Sequence, residues 1–487
     1  MTGVSETPAG ADLTQSAAPV TGEQADQYGQ DLHRSIGVLG NIFITLSGVT
    51  PASSVFIIIP IAIVGIGSGS FLAFVIAGII GVFMAFCWAE LGAAFPIAGG
   101  DYAVVWHSFK GRTSWLAGPV SFITFLLYLS FIAFIPAVIA LGTGTYLAVV
   151  VNVNIKVIGA IVMLLAAAVS VLNIKLNAYI TGIFLAIELA ALAILSVLGF
   201  THATHWGALI HPVVGAGSGS STSHVAFSAV LAMTAVAVFA YNGYANAINF
   251  SEETVGPRRN IARAILISLV VTVAAELIPL TAMIVGSPSI SALSTASVPT
   301  KYFIEATSNN TVNTIVSLGV VIAILNAVIA IILSYARILY SSARDRAWPG
   351  PVNSWFTNIP ARLGSPVIPT AVIGIVGAIL CLTVSETTLT NLTGASLVVD
   401  YALIAIAALV GRITGATKGS AYRMPLWPLW PVLALAALGY IFTQQTRLLL
   451  TVTLITMAIG LVYWLVFILP QRGKAWNLLE APGSEQN

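Results

Sequence analysis

Charge is what this chain has least of. Asp, Glu, Lys and Arg make up 7% of its 487 residues, against roughly 25% in a soluble domain. So few charges cannot clothe a water-facing surface, and most of the chain must lie in lipid. A net charge of +2 says nothing useful about partners; there is no basic patch for nucleic acid, and no nucleic-acid partner is expected. Cysteine is almost absent. Cys87 and Cys381 each lie inside an apolar run and read as small buried side chains, not as a disulfide or a metal pair. No G-x-S-x-G, H-E-x-x-H or G-x-x-x-x-G-K-[ST] pattern occurs, so neither a hydrolase nor a nucleotide-binding enzyme is expected. The six histidines fall in loops, the N-terminal tail or the ends of apolar runs. His202, His205, His211 and His224 share one mixed polar loop, which reads as ordinary loop rather than a metal site. No cofactor and no metal are expected. Residues 1–35 hold no apolar core of a signal peptide and read as a disordered cytoplasmic tail.

What the chain has is long apolar runs. The most informative covers 36–67 and is long enough to cross a bilayer, which takes ~20 apolar residues. Its middle, Ser47-Gly48-Val49-Thr50-Pro51-Ala52-Ser53-Ser54, is built to break. Gly48 weakens a helix, and Pro51 lacks an N–H and clashes with the preceding turn. Broken backbone at membrane depth survives only where protein buries it or a cavity lines it, so the break marks a solute site, with a ligand-free proline kink as the plain alternative. A second break follows in the run 225–250, at Phe239-Ala240-Tyr241-Asn242-Gly243.

Further runs read near 70–91, 113–147, 157–173, 179–199, 262–286, 311–336, 367–384, 393–411, 427–443 and 448–469. With the two broken runs they predict twelve spans. If both termini face the cytoplasm, only Lys156, Lys301 and Arg447 of the 19 Lys and Arg lie outside, an asymmetry the positive-inside rule requires. Each half opens with an interrupted span, and paired interruptions in corresponding positions point to an inverted-repeat transporter. The fold expected is an all-α membrane protein of twelve transmembrane helices. It comprises a five-plus-five inverted repeat with broken helices 1 and 6, and two C-terminal helices. In residues, that is a tail at 1–35 and a transporter domain at 36–470, divided into repeat one (36–199), repeat two (225–411) and helices 11–12 (427–469). A second cytoplasmic tail at 471–487 follows.

Three stretches then resemble a known family. They are Glu90-Leu91-Gly92-Ala93-Ala94-Phe95-Pro96 with Gly99-Gly100-Asp101-Tyr102; Phe239 to Gly243 with Glu252-Glu253 and Pro257-Arg258-Arg259-Asn260-Ile261; and Arg337-Ile338-Leu339-Tyr340 with Ala343-Arg344-Asp345 and Pro349. In this order they resemble the amino acid permeases of the amino acid–polyamine–organocation (APC) superfamily. The resemblance implies secondary transport of amino acids or related amines across the cell membrane, and no particular substrate. Where that family commonly has a short Gly-Ser-Gly turn in its first break, this chain has the longer 47–54 stretch.

The helix ends suggest the chemistry. The second half of span 1, starting near Ser53, would offer unpaired N–H groups of 52–55 to a substrate carboxylate. The carbonyls ending the first half of span 6 would suit an ammonium, with Phe239, Tyr241 and Tyr244 covering it or merely packing. The candidate substrate-binding residues are Ser47, Gly48, Thr50, Ala52, Ser53, Ser54, Phe239, Ala240, Tyr241, Asn242, Gly243 and, in span 8, Asn326. Carboxylates inside spans are costly and mark function; Glu188, Glu276 and Asp400 are three. Glu188 shares a helical face with Thr181, Ala191 and Ser196, which is expected to turn toward span 1. It is the candidate for proton coupling or for the counter-ion of an amine. The partners expected are an amino acid or amine, a proton and the bilayer. A polyamine carrier, a membrane-embedded enzyme and a channel are the rival readings.

Overall fold

The structure is a computed structural model, and it describes residues 35–478 except 98, 110, 173, 217–220 and 361. The expected N-terminal tail and the last nine residues therefore lie outside the described part. Lipid offers no partner to backbone N–H and C=O groups, so apolar runs must satisfy themselves as helices. In chain order these are α1 (Val38–Val49), α2 (Ile59–Ile66), α3 (Gly69–Ala94), α4 (Gly100–Ser108), α5 (Ser114–Val150), α6 (Ile155–Ser170), α7 (Ile174–Thr201), α8 (Phe227–Tyr241), α9 (Pro257–Gly286), α10 (Ile290–Thr295), α11 (Pro299–Thr307), α12 (Asn310–Arg344), α13 (Gly350–Phe356), α14 (Val367–Thr383), α15 (Glu386–Ile413), α16 (Leu429–Thr443) and α17 (Arg447–Tyr463). Among the described residues, nine helical segments are long and apolar enough to cross a membrane. Three shorter apolar helices, α6, α14 and α16, accompany them.

The segment Val38–Ile66 is the centre: 78% of its apolar window is buried, against 17% for Arg447–Gln471. α1 packs on α7, α9 and α12, and α8 on α3 and α15. α17 lies against α5 and turns Leu454, Ile455, Ile459 and Val462 outward, a face suited to lipid rather than water. A hairpin of β1 (Val213–Gly215) and β2 (Thr222–His224) covers the end of α2. There Gly67 is left-handed, and a Cβ would stand 2.2 Å from Val213 O; only glycine allows that approach.

Six of the charged residues form three buried or half-buried pairs, and all but Arg412 fall on the family-like motifs. Glu90 receives Arg412 through two bonds of 2.6 and 2.7 Å, and also the Thr417 hydroxyl and the Met424 N–H. Glu252 is held by both terminal nitrogens of Arg344 at 3.0 Å. Glu253 is bracketed by Nε and Nη2 of Arg337, which also donates to Leu333 O. Glu253 O in turn accepts the N–H groups of Ser35 and Ile36, so the chain's entry is pinned to the same place. Tyr102 donates to Asp345 at 2.8 Å. Beyond residue 470 the chain does not leave the bundle at once. Trp476 is 2% exposed, packs on Tyr102, Phe122 and Phe125, and donates to Ser121.

Two outcomes follow from these pairs. Arg337 and Glu253 are 1% and 2% exposed, so Arg337→Ala strands a buried carboxylate; the expected loss is about 3–5 kcal/mol in detergent unfolding, and a loss under about 1 kcal/mol would show a solvated pair. Burial pushes the Asp345 carboxyl up from 3.8 to about 7, opposed by the Arg344 charge and the Tyr102 hydroxyl. A raised carboxyl stabilises the fold in full below pH 3.8 and loses that contribution as pH rises through about 7. Asp345→Asn, which still accepts from Tyr102, should flatten the fall in melting temperature over that window; an unchanged slope would place its origin elsewhere.

Candidate functional site

The two interruptions meet. In the first, one residue leaves the helix. Thr50 is left-handed, φ 54° and ψ 69°, a costly conformation for a β-branched residue. Its N–H closes α1 on Leu46 O at 2.9 Å, and its carbonyl accepts the Ser54 N–H at 3.1 Å. Its hydroxyl donates to Ser53 Oγ at 2.6 Å and accepts the Ser53 N–H at 3.4 Å. Thr50 is thus the N-cap of the second half, with Pro51 at the first helical position, where a missing N–H costs nothing. A π-turn, Ser54–Ile58, follows before α2. Such turns widen the helix and free a carbonyl; Phe56 O is taken by the Tyr146 hydroxyl, itself 2.6 Å from Thr300.

The second interruption is at Asn242 and Gly243. α8 stops at Tyr241, Gly243 takes φ 113°, and a 3-10 stretch, Tyr244–Phe250, carries the chain on. Ser54 Oγ donates to Ala240 O at 2.9 Å. Asn41 in α1 donates to Ala247 O at 3.1 Å and to Thr254 at 2.8 Å. The first broken span thereby supplies donors for the freed carbonyls of the second.

Between them lies a small cavity of about 10 Å³, the room one water needs. Gly48, Thr50, Ser54, Phe239, Ala240 and Asn242 line it, together with Val49, Ile58, Ile135, Ile139, Asn246, Ile331 and Tyr335. Ser47, Ala52, Ser53, Tyr241, Gly243 and Asn326 stand outside that lining. Gly48 lies within α1 rather than in unwound backbone. A Cβ on Gly243 would approach Val49 Cα at 3.2 Å, so this glycine serves contact between the spans. The lining isoleucines carry no sequence signal beyond hydrophobicity; Asn246 and Tyr335 stand out only as polar atoms inside apolar runs.

Glu188 is fully buried in α7. Its Oε1 accepts from Asn326 Nδ2 at 2.8 Å, and the carboxyl lies against the Ala52 N–H. Ala191, on the expected face, is buried with it, while Ser196 is half-buried and bonded to its own helix; the Thr181 side chain lies outside the described residues. The donors at 52–54 are therefore engaged by the chain: Ala52 by Glu188, Ser53 and Ser54 by Thr50. A carboxyl group does sit at this positive helix end, and it is the protein's own.

Beneath the cavity is a polar layer. Asn249 donates to Ser334 at 2.7 Å, Tyr128 to Asn246 at 3.1 Å, and Asn242 to the Tyr401 hydroxyl at 3.0 Å. Asp101, in the loop helix α4, accepts the Trp88 indole N–H at 2.8 Å and bonds the Asp400 carboxyl of α15. Two carboxyl groups in such contact disfavour each other's ionisation, because buried like charges repel. Burial pushes Asp101 up, and the indole N–H draws it part of the way back. Asp101 lies in the Gly-Gly-Asp-Tyr motif, but no local pattern announces its contact with Asp400. Among the described residues no group of three or more His, Cys, Asp or Glu could hold a metal ion.

The sequence model of the amino acid permeases matches residues 36–470. A methylthioribose transporter of Bacillus subtilis (strain 168) is 22% identical over 75% of this chain and 78% of its own length. The mitochondrial cationic amino acid transporter 3 of Arabidopsis thaliana is 25% identical over 70% of this chain, a match spanning 56% of the relative. An uncharacterized transporter of Mycobacterium tuberculosis (strain ATCC 25618 / H37Rv) is 26% identical over 78% of this chain and 80% of its own length. A match over the whole membrane-embedded part, on a bundle whose first and sixth apolar runs are both interrupted at one cavity, makes this chain a member of the amino acid permease family of the APC superfamily.

Proposed function

We propose that this permease is a secondary active transporter that moves an amino acid or a related amine across the cell membrane, coupled to protons or by exchange. The observation that carries the reading is the meeting of the two helix interruptions at one small cavity, with Glu188 at the positive end of the second half of span 1. We take the twelve apolar helices as twelve spans, in a five-plus-five inverted repeat with two further helices and both termini cytoplasmic. The cavity is too small for an amino acid, so substrate entry requires the interrupted halves to move, and the two breaks are the places where a span bends at least cost.

Glu188 is the element we assign to coupling. Ionised, it accepts from Asn326 and faces the Ala52 N–H, holding the start of the second half of span 1 between α7 and α12. A proton removes acceptor capacity and loosens that hold. Loading a proton and releasing the half-helix are then one event. A second reading, a carrier for amines without a carboxylate, is favoured by the occupied donors at 52–54: no free set of backbone N–H groups awaits a substrate carboxylate. Competition between an amino acid and its decarboxylated amine separates the two readings. That relatives are named as transporters of cationic amino acids and of methylthioribose supports a small polar solute and leaves its identity to this assay.

Three outcomes test the reading. In proteoliposomes, Glu188→Gln should abolish accumulation driven by a pH gradient; persistence of exchange marks a coupling residue, and loss of binding marks a counter-ion. Accumulation and pH dependence like those of the unaltered protein would remove Glu188 from either role. Gly243→Leu places a side chain on the Val49 backbone and should abolish uptake of protein that still inserts; normal uptake with unchanged affinity would dissociate this contact from transport. For topology, a thiol reagent that cannot cross membranes should label Ser223→Cys, but not Ser354→Cys, in intact cells. Labelling of the latter would overturn the orientation.

A further inference from the structure

A second buried carboxyl group lies behind Ser54, one of the residues lining the cavity, and neither of its oxygens has a hydrogen-bond partner. Ser268, Thr272 and Glu276 follow one another at four-residue spacing on α9, so they share one face of the helix. All three are fully buried. A buried helical serine or threonine ordinarily donates to the carbonyl four residues back, as Thr281 does to Leu277 on this helix at 2.6 Å. Ser268 and Thr272 make no such bond, and neither oxygen of Glu276 has a donor. Ser54, at the start of the π-turn, lies against the Glu276 carboxyl, but its hydroxyl is already donated to Ala240 O. Tyr241, the last residue of α8, lies near the same carboxyl with its ring edge-on to Phe74 and its hydroxyl unbonded.

The contrast with Glu188 is decisive. Glu188 has an amide donor on one oxygen and faces a backbone N–H, so the protein meets that carboxyl group at least in part. Glu276 is offered no donor, and no Lys, Arg or His among the described residues pairs with it. Its other neighbour is the C-terminal end of α8, where carbonyls and the helix dipole add negative potential. The missing partner is therefore a cation. Ser54 and Ala240 also line the small cavity, so a solute there can reach the carboxylate past the π-turn.

We propose that Glu276, with the Tyr241 hydroxyl, Ser54 and the carbonyl end of α8, forms a subsite for a primary ammonium group of the transported solute. The inference rests on the reading of this chain as an amino acid or amine transporter, and narrows the substrates to those carrying a positive charge beyond an α-amino acid's own balanced pair, or lacking the carboxylate altogether. The hydroxyls of Thr272 and Ser268 continue the polar face along α9 below the carboxylate.

The test is binding and uptake by the purified full chain in proteoliposomes, with lysine, cadaverine and leucine as probes, in sodium and in choline buffers. The unaltered protein should bind lysine or cadaverine. Glu276→Gln keeps the shape and removes the charge; it should weaken the charged probes about 10- to 100-fold, as expected for loss of a hydrogen bond to a charged group. Leucine binding, where present, should change less than about twofold by the same measure. Tyr241→Phe should weaken lysine several-fold, and it carries the test should Glu276→Gln fail to insert. Equal weakening of leucine and lysine would reduce Glu276 to a structural role and overturn the proposal. So would lysine affinity that follows sodium in the unaltered protein and loses only that dependence in Glu276→Gln, because the occupant would then be a metal cation. Transport of leucine with no binding of the charged probes would overturn the subsite and leave the transporter reading standing. Failure to transport any solute would instead strike the transporter reading itself.

Discussion

A helix interrupted in lipid must find partners for its freed backbone inside the protein, and this requirement organises the molecule. Thr50 meets it locally, closing one half-helix with its N–H and capping the next with its side chain and carbonyl. The second span meets it by contact, since Ala240 O and Ala247 O receive side chains from span 1. The two most polar stretches of backbone in the bundle are thus obliged to lie together, and the cavity is what remains between them. α7, α9 and α12 pack around this joint and present Glu188, Glu276 and Asn326 to it.

The same economy governs charge. Among the described residues, the buried ion pairs Glu90–Arg412, Glu252–Arg344 and Glu253–Arg337 tie together connections far apart in sequence. An ion pair stripped of water adds little net stability, but breaking one is expensive. Such pairs act as a lock on geometry, gathering the chain around the ends of α3, α8, α12 and α15, while among the described residues the two interruptions carry no salt bridge.

Much of this was legible in the sequence, and the physical reason is that lipid imposes strong patterns. Apolar runs become helices, and Gly48-Val49-Thr50-Pro51 and Asn242-Gly243 announce their breaks. What the sequence hid is directional. An eight-residue stretch that reads as unwound condenses to one left-handed threonine, because Thr50 satisfies its neighbours with its own side chain. N–H groups expected to wait for a substrate are engaged by Thr50 and Glu188, a pairing across 136 positions that no local pattern reveals. Asp101 and Asp400 meet for the same hidden reason. The end expected as a tail from 471 begins by burying Trp476, whose value as an anchor depends on Tyr102 and Phe125 being near.

The central claim is that substrate occupies the joint between the interrupted helices. It is tested most directly by placing a cysteine at Asn242, which lines the cavity, in a chain whose native Cys87 and Cys381 are both buried, and measuring its rate of modification by a small thiol reagent in transporting proteoliposomes. The account predicts that transported solutes slow the modification in proportion to their occupancy, whereas untransported ones do not. Modification at one rate with and without a solute that is being transported would contradict it.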